Sequence, residues 1–288
     1  MGSTFRAVFA LSFLFVSVFA VADDFPKLKK ECTTLEKPFT WNYCVYTTKN
    51  SKSPDVIYYF HGLGGSENTW GDDHFYPAQL RKRWAEKNFE IPTVVGISLG
   101  KQWLLVEKNE SKLSGLYEAM VGLMIPAVEK ALGKEPKHRF IVGESMGGFN
   151  GAQLALKAGK KMFTRAALLC PPMVTISPFS TDEEIEAFIK ATKANPDKVK
   201  SIVLMSKMMM PTANDWDANN PVKLAENIGA NTPDLYVSCG MSDDYGFFPG
   251  TEKFAEIAKK GQPGVQWRPL WGSHCAVDID SLADFIAQ

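Results

Sequence analysis

Neither sign of charge is in excess in this chain, because 32 Lys and Arg offset 32 Asp and Glu. Without a basic surplus, nucleic acid is not an expected ligand. Histidine is scarce, at four, and neither H-E-x-x-H nor C-x-x-C spacing occurs, so no catalytic metal and no cofactor is expected. The glycine-rich stretches are not followed by Gly-Lys-Ser/Thr, which argues against a phosphate-cradling loop. Beyond residue 22 no apolar run is long enough to attempt a bilayer, and no internal repeat or low-complexity tract is visible.

The one long apolar run covers 7–22, follows Arg6, and closes on Ala20-Val21-Ala22 just before Asp23 and Asp24. It falls short of the roughly 20 residues that a membrane span needs and reads as a secretory signal peptide over 1–22. The expected product is exported, either secreted or periplasmic, with no stable membrane anchor after cleavage. Residues 23–288 suffice for one domain with a sizeable core. Export also makes disulfides chemically possible for Cys32, Cys44, Cys170, Cys239 and Cys275. Cys32 and Cys44 flank a short hairpin-like segment and form the best pair. Cys239 and Cys275 either pair, leaving Cys170 alone, or remain as buried thiols with it.

Strand-like runs fall at 40–48, 56–60, 93–98, 139–143, 165–170, 235–239 and 265–270, with helical patterns at 76–87, 114–132, 149–159, 251–260 and 278–287. This alternation predicts an α/β protein with a mostly parallel central sheet, helices on both faces and an antiparallel start. The stretch 171–233 is too long for a plain connection and is expected to form a helical cap insertion, with helices at 181–192 and 197–208. Its Met205, Met208, Met209, Met210 and Trp216, with Met173, form either an apolar substrate pocket or helix-packing core.

G-x-S-x-G occurs twice, around Ser98 and around Ser145. After Ser145 come Gly147, Gly148, Gly151, Ala152 and Ala155, a small-residue face suited to a helix lying close on a sheet. After Ser98 come Lys101, Gln102 and Trp103, so Ser98 reads as the end of a buried strand. A serine nucleophile needs a base, and that base needs an acceptor to fix its tautomer. His274 alone among the histidines lies in a loop after the last strand; Asp243, three residues past the strand-ending Gly240, is preferred over Asp244 as the acceptor. The oxyanion of an acyl-transfer intermediate needs backbone donors. Leu63 N–H in the His61-Gly62-Leu63 turn and Met146 N–H are assigned to it, with His61 holding that turn by a hydrogen bond.

These residues resemble the α/β-hydrolase superfamily, and more narrowly its esterase D and S-formylglutathione hydrolase group, related to feruloyl esterases and antigen 85 mycolyltransferases. The resemblance covers most of the chain after residue 22. It rests on the His61-Gly62 loop, Gly143-Glu144-Ser145-Met146-Gly147-Gly148, Asn220-Pro221-Val222-Lys223-Leu224-Ala225, Gly240-Met241-Ser242-Asp243 and His274, with nucleophile, acid and base in the superfamily's order. Glu144 departs from the group, which usually carries histidine before the nucleophile. The resemblance implies an α/β-hydrolase fold and cofactor-free hydrolysis of a small-molecule ester, with a short or aromatic acyl group, through an acyl-enzyme on Ser145. Acyl transfer to a sugar or lipid hydroxyl is the alternative within enzymes; a non-catalytic binding protein on the same fold is the alternative outside them. Labelling by a serine-directed phosphonate separates these two classes.

Overall fold

The computed structural model describes residues 25–37, 39–49, 51–99 and 104–288; the signal-peptide expectation over 1–22 lies outside them. The chain opens with a hairpin of β1 (Leu28–Leu35) and β2 (Trp41–Thr48), then β3 (Val56–Phe60), α1 (Tyr76–Glu86) and β4 (Thr93–Ser98). Next come α2 (Leu116–Ala119), a π-helical turn (Met120–Met124), α3 (Ile125–Leu132), β5 (Arg139–Glu144), α4 (Met146–Lys157) and β6 (Arg165–Leu169). Between β6 and β7 (Asp234–Gly240) lie α5 (Asp182–Thr192), α6 (Pro196–Met209), α7 (Ala213–Asn219) and α8 (Pro221–Leu224). The chain ends with α9 (Phe247–Gly261), β8 (Val265–Leu270) and α10 (Ile279–Ala287).

The strands form one sheet in the order β1-β2-β4-β3-β5-β6-β7-β8. Pairings from β4–β3 onward are parallel, whereas β1–β2 and β2–β4 are antiparallel. The central strands are buried on both faces, which is why they read as continuous apolar runs. In β3, Val56, Tyr58 and Phe60 face a core built with α3, α4 and α9, and Ile57 and Tyr59 face one built with α1 and α10. This is an α/β-hydrolase fold.

β1 carried no sequence signal because almost all of it is exposed, so LKKECTTL has no apolar alternation to display. Its Cys32 stands directly opposite Cys44 in the ladder, and the two are joined by a disulfide. The helix expected over 114–132 starts later and is broken by the π turn. α5 and α6 begin within a residue of the expected positions because Thr181 and Asn195 cap them, each accepting backbone N–H bonds with its side-chain oxygen.

The four helices between β6 and β7 do not form a separate body. Ile185, Phe188, Val199, Met209, Met210 and Trp216 share one apolar cluster with Leu104, Phe149, Cys239 and Phe247 at the C-terminal ends of the strands. No helix of the described residues is long and apolar enough to cross a membrane.

Candidate active site

Ser145 sits on the turn between β5 and α4 with φ 49° and ψ −119°, a sparsely populated conformation for a residue with a Cβ. Two kinds of contact maintain it. Ser145 N–H donates to Leu169 O at 2.8 Å, and Phe149 N–H donates to Ser145 O at 3.1 Å. The backbones also approach so closely that a Cβ on Gly147 would fall 2.0 Å from Phe60 O, and one on Gly143 2.2 Å from Gly147 O. Glycine at both positions is a steric requirement of the turn. The Ser145 hydroxyl makes no capping bond to α4 and is turned instead toward His274, whose Nε2 is 2.9 Å from Oγ.

His274 Nδ1 lies 2.7 Å from Asp243 Oδ2. With its proton on Nδ1, the imidazole donates to the carboxylate and presents Nε2 as an acceptor for the serine hydroxyl. The Asp243 side chain is fully buried. Its other oxygen accepts from Tyr245 N–H at 2.9 Å and from Phe247 N–H at 3.4 Å, at the start of α9. The imidazole is held from the side by the Tyr245 ring at 4.5 Å and the Phe247 ring at 5.6 Å. Asp244, the sequence rival, turns away to an ion pair with Lys198 of α6 at 2.5 Å.

The loops that carry Asp243 and His274 are joined along their backbones. Met241 N–H donates to Leu270 O and Ser242 N–H to Gly272 O, and a Cβ on Gly240 would lie 2.0 Å from Ser273 O. One cysteine assignment is corrected here. Cys275, next to His274, is bonded not to Cys239 but to Cys170, at the C-terminal end of β6, with Cα atoms 5.0 Å apart. Cys239 is a free, buried thiol beside Asp243, pushed up by burial. The true partner could not be read from the sequence because the C-terminal ends of β6 and β8 meet only in the folded sheet.

The other candidates divide by location. Ser98 ends β4 beside a cavity also lined by His61 and Asn150, and among the described residues no hydrogen bond joins it to an imidazole. His138 pairs with Asp55 at the N-terminal end of β5, opposite the site. His61 is buried, and its Nδ1 is 2.7 Å from Gly62 O, which also accepts from Gly65 N–H at 3.0 Å. With the Gly62 carbonyl pinned, the N–H of the same trans peptide, that of Leu63, points the other way. Glu144 completes this loop: its Oε1 accepts from Gly62 N–H at 3.2 Å and from Tyr59 Oη–H at 3.0 Å. Burial raises its carboxyl above the ordinary range, against the opposing pull of those two donors. The sequence marked Glu144 as unusual, but not that it clamps the turn expected to carry the oxyanion.

Two cavities meet at Ser145. One, of about 70 Å³, lies under the insertion against Met146, Phe149, Met205, Met210 and Trp216. The other, of about 500 Å³, is an open cleft on the His274 side, walled by His74, Phe75, Gln79 and Tyr245. Of the methionine group, Met205, Met210 and Trp216 reach the first cavity, whereas Met173 and Met209 are packed in the core and Met208 is exposed. Cys170, His274 and Cys275 also cluster, but the disulfide removes both thiolates as metal ligands.

A serine on a strained strand-to-helix turn, at the C-terminal edge of this sheet, places the molecule among the α/β-hydrolases. The chain belongs to the family described as "Putative esterase", whose model matches residues 37–271, and it is a carboxylic ester hydrolase. Solved structures similar to it include a ferulic acid esterase (17% identity, 91% of this chain and 95% of that one, TM-score 0.62). The S-formylglutathione hydrolase of Agrobacterium tumefaciens is similar too (16%, 92% and 93%, TM-score 0.61), as is carboxyl esterase 2 of Tuber melanosporum (16%, 93% and 87%, TM-score 0.62). At these identities the likeness is one of fold. No curated protein matches the chain.

Proposed function

We propose that the protein is an exported serine esterase that works through an acyl-enzyme on Ser145. The observation that carries this reading is the unbroken chain from Ser145 Oγ to His274 Nε2 at 2.9 Å and from His274 Nδ1 to Asp243 Oδ2 at 2.7 Å. His274 takes the hydroxyl proton as Oγ attacks the ester carbonyl carbon. Asp243 stabilises the imidazolium that forms. Leu63 N–H and Met146 N–H hold the tetrahedral oxyanion. The imidazolium then gives its proton to the departing alcohol oxygen, and a water deprotonated by His274 releases the acid.

Residues 171–233 act as a cap, since α6, Met210 just after it and α7 supply Met205, Met210 and Trp216 to one wall of the cavity beside Ser145. Two disulfides accord with export of the chain behind a cleaved 1–22 segment. The direct test is hydrolysis of p-nitrophenyl acetate by wild type, Ser145→Ala and Ser98→Ala, each checked for folding. The expected result is a loss of a thousandfold or more, an order-of-magnitude figure, in Ser145→Ala alone; an inert, folded wild type that also resists a serine-directed phosphonate overturns the reading.

A further inference from the structure

The insertion reaches the His274 side of the site through one lysine. α6 is capped by Asn195, whose side-chain oxygen accepts the N–H groups of Asp197 and Lys198, so Lys198 is fixed in the first turn. A cation there stands at the wrong end of the helix dipole. What places it there lies outside the helix. Lys198 Nζ is 2.5 Å from Asp244 Oδ2 and 4.3 Å from the centre of the Tyr245 ring. Asn195 N–H donates to Asp244 O at 2.7 Å, so the start of α6 grips Asp244 by both backbone and side chain.

Tyr245 carries this contact to the imidazole. Its ring centre lies 4.5 Å from that of His274, and its N–H donates to Asp243 Oδ1 at 2.9 Å. The ring also stacks on Phe247 at 5.2 Å, with 21° between the planes. It lines both cavities at Ser145, so it borders open space in each and depends on these contacts for its orientation.

We propose that Lys198 is a positioning residue for the hydrolysis: through Tyr245 it holds the His274 imidazole in line with Ser145 Oγ and Asp243. The proposal rests on the serine esterase reading above. As Oγ attacks and its proton passes to Nε2, the imidazole becomes a cation beside a ring that already faces one. Asp244 offsets that second charge, so the Lys198–Asp244 pair orients the ring at little electrostatic cost to the imidazolium. By the two ring distances, the ammonium is no more than about 9 Å from the imidazole centre. The hydrogen bond to Asp244 holds the Lys198 pKa above its ordinary range. Besides Tyr245, the other titratable groups around the imidazole are Asp243, Glu144 and, across the cleft, His74, while Cys275 beside it is bridged. Substitutions at 198 and 244 leave all of these in place.

The test measures kcat, KM and the pH dependence of kcat/KM for p-nitrophenyl acetate in the full oxidised chain, each variant checked for folding. Lys198→Met keeps the apolar stem and should lower kcat about two- to fivefold, the effect of one exposed cation–π contact, with KM little changed. Lys198→Arg keeps the charge and the ring contact and should retain most of the wild-type kcat. The rate needs a neutral imidazole, so kcat/KM falls on the acid side. Removing the Lys198 charge favours the imidazolium and should move that limb up by about 0.3–0.5 pH unit, and Asp244→Asn should move it down by a similar amount, the effect of one charge at roughly 9 Å in a solvent-like dielectric. In a Tyr245→Leu background, Lys198→Met should change kcat by less than about twofold, because the ring that carries the contact is gone. An unchanged kcat in Lys198→Met, equal losses in Lys198→Met and Lys198→Arg, limbs that move the same way in Lys198→Met and Asp244→Asn, or a full loss that persists in the Tyr245→Leu background overturns the proposal while leaving a working esterase. No turnover by wild type, with no phosphonate labelling, overturns the esterase reading itself and the positioning role with it.

Discussion

Ser145 and Ser98 share a motif, and what separates them is the company each keeps in space. Ser145 Oγ is bonded to the His274 imidazole, whereas Ser98 lies on a cavity shared with His61, whose Nδ1 is engaged with Gly62 O. The glycines and alanines after Ser145 made this difference legible in the sequence, because a tight strand-to-helix turn imposes small residues. The function of Glu144 was not legible, since the groups it touches are Tyr59 and Gly62, more than eighty positions away. Two predictions follow at this scale. His61→Ala frees the Gly62 carbonyl and lets the Leu63 N–H drift from its aim; kcat for p-nitrophenyl acetate should fall about ten- to a hundredfold with KM changed little, below the full loss of an oxyanion donor. An equal change in both constants would place His61 in ground-state binding instead. The second concerns stability. The Glu144 carboxyl is raised above its ordinary 4.5 by burial. The folded state thus holds the proton more tightly than the unfolded one, so its stabilising effect is full below pH 4.5 and is lost as pH rises through the folded pKa. At neutral pH the buried charge is a net cost. Glu144→Gln keeps an oxygen for Gly62 N–H, and its Tm should exceed the wild-type value by roughly 2–4 °C at pH 7.5, an effect of about 1 kcal/mol, with the gap closing toward pH 4. A constant gap across that window would count against the linkage.

At the scale of elements, the buried parallel strands were plain in the sequence as short apolar runs, and the insertion helices were marked by their caps. β1 was hidden because an exposed edge strand needs no apolar pattern, only backbone pairing and, here, a disulfide to β2. The two bridges nevertheless have different consequences. Cys32–Cys44 closes a loop of 12 residues at the sheet edge, and Cys170–Cys275 closes one of 105 and ends on the residue after His274. Both Cys170 and Cys275 also have positive φ, so the bridge spans two sharp bends in the chain. Removing both cysteines of either pair should lower Tm by roughly 5–15 °C, from 2–4 kcal/mol per bridge in a chain of this size. Only the Cys170→Ser/Cys275→Ser variant should also lose kcat, because only that bridge ends beside His274, the base proposed above. Equal activity in the two folded double variants would mean that the backbone bonds from Met241 and Ser242 hold the His274 loop without help.

For the molecule as a whole, the question is whether the insertion opens on its own. Its apolar side chains lie in one cluster with Phe149 of α4 and Phe247 of α9, and polar bonds join it to the rest at several points. Asn109 Nδ2 and Ser111 Oγ donate to the carbonyls of Met209 and Met208, Gln153 Nε2 donates to Asn219 O, and Asn195 N–H donates to Asp244 O, next to the catalytic acid proposed above. A lid that moved freely would have to expose Phe149 and Phe247 and break these bonds together, a cost far above that of a loop hinge. The cavity beside Ser145 under the insertion should accordingly be preformed, with its size fixed by the packing of α6 and α7 over the sheet. Hydrogen exchange in rising urea tests this directly. Peptides from 182–209 and from 139–169 should lose protection with the same urea dependence. If the insertion exchanges at concentrations where the strands stay protected, the cavity is a gate rather than a mould, and access to Ser145 from that side would be set by the rate of opening.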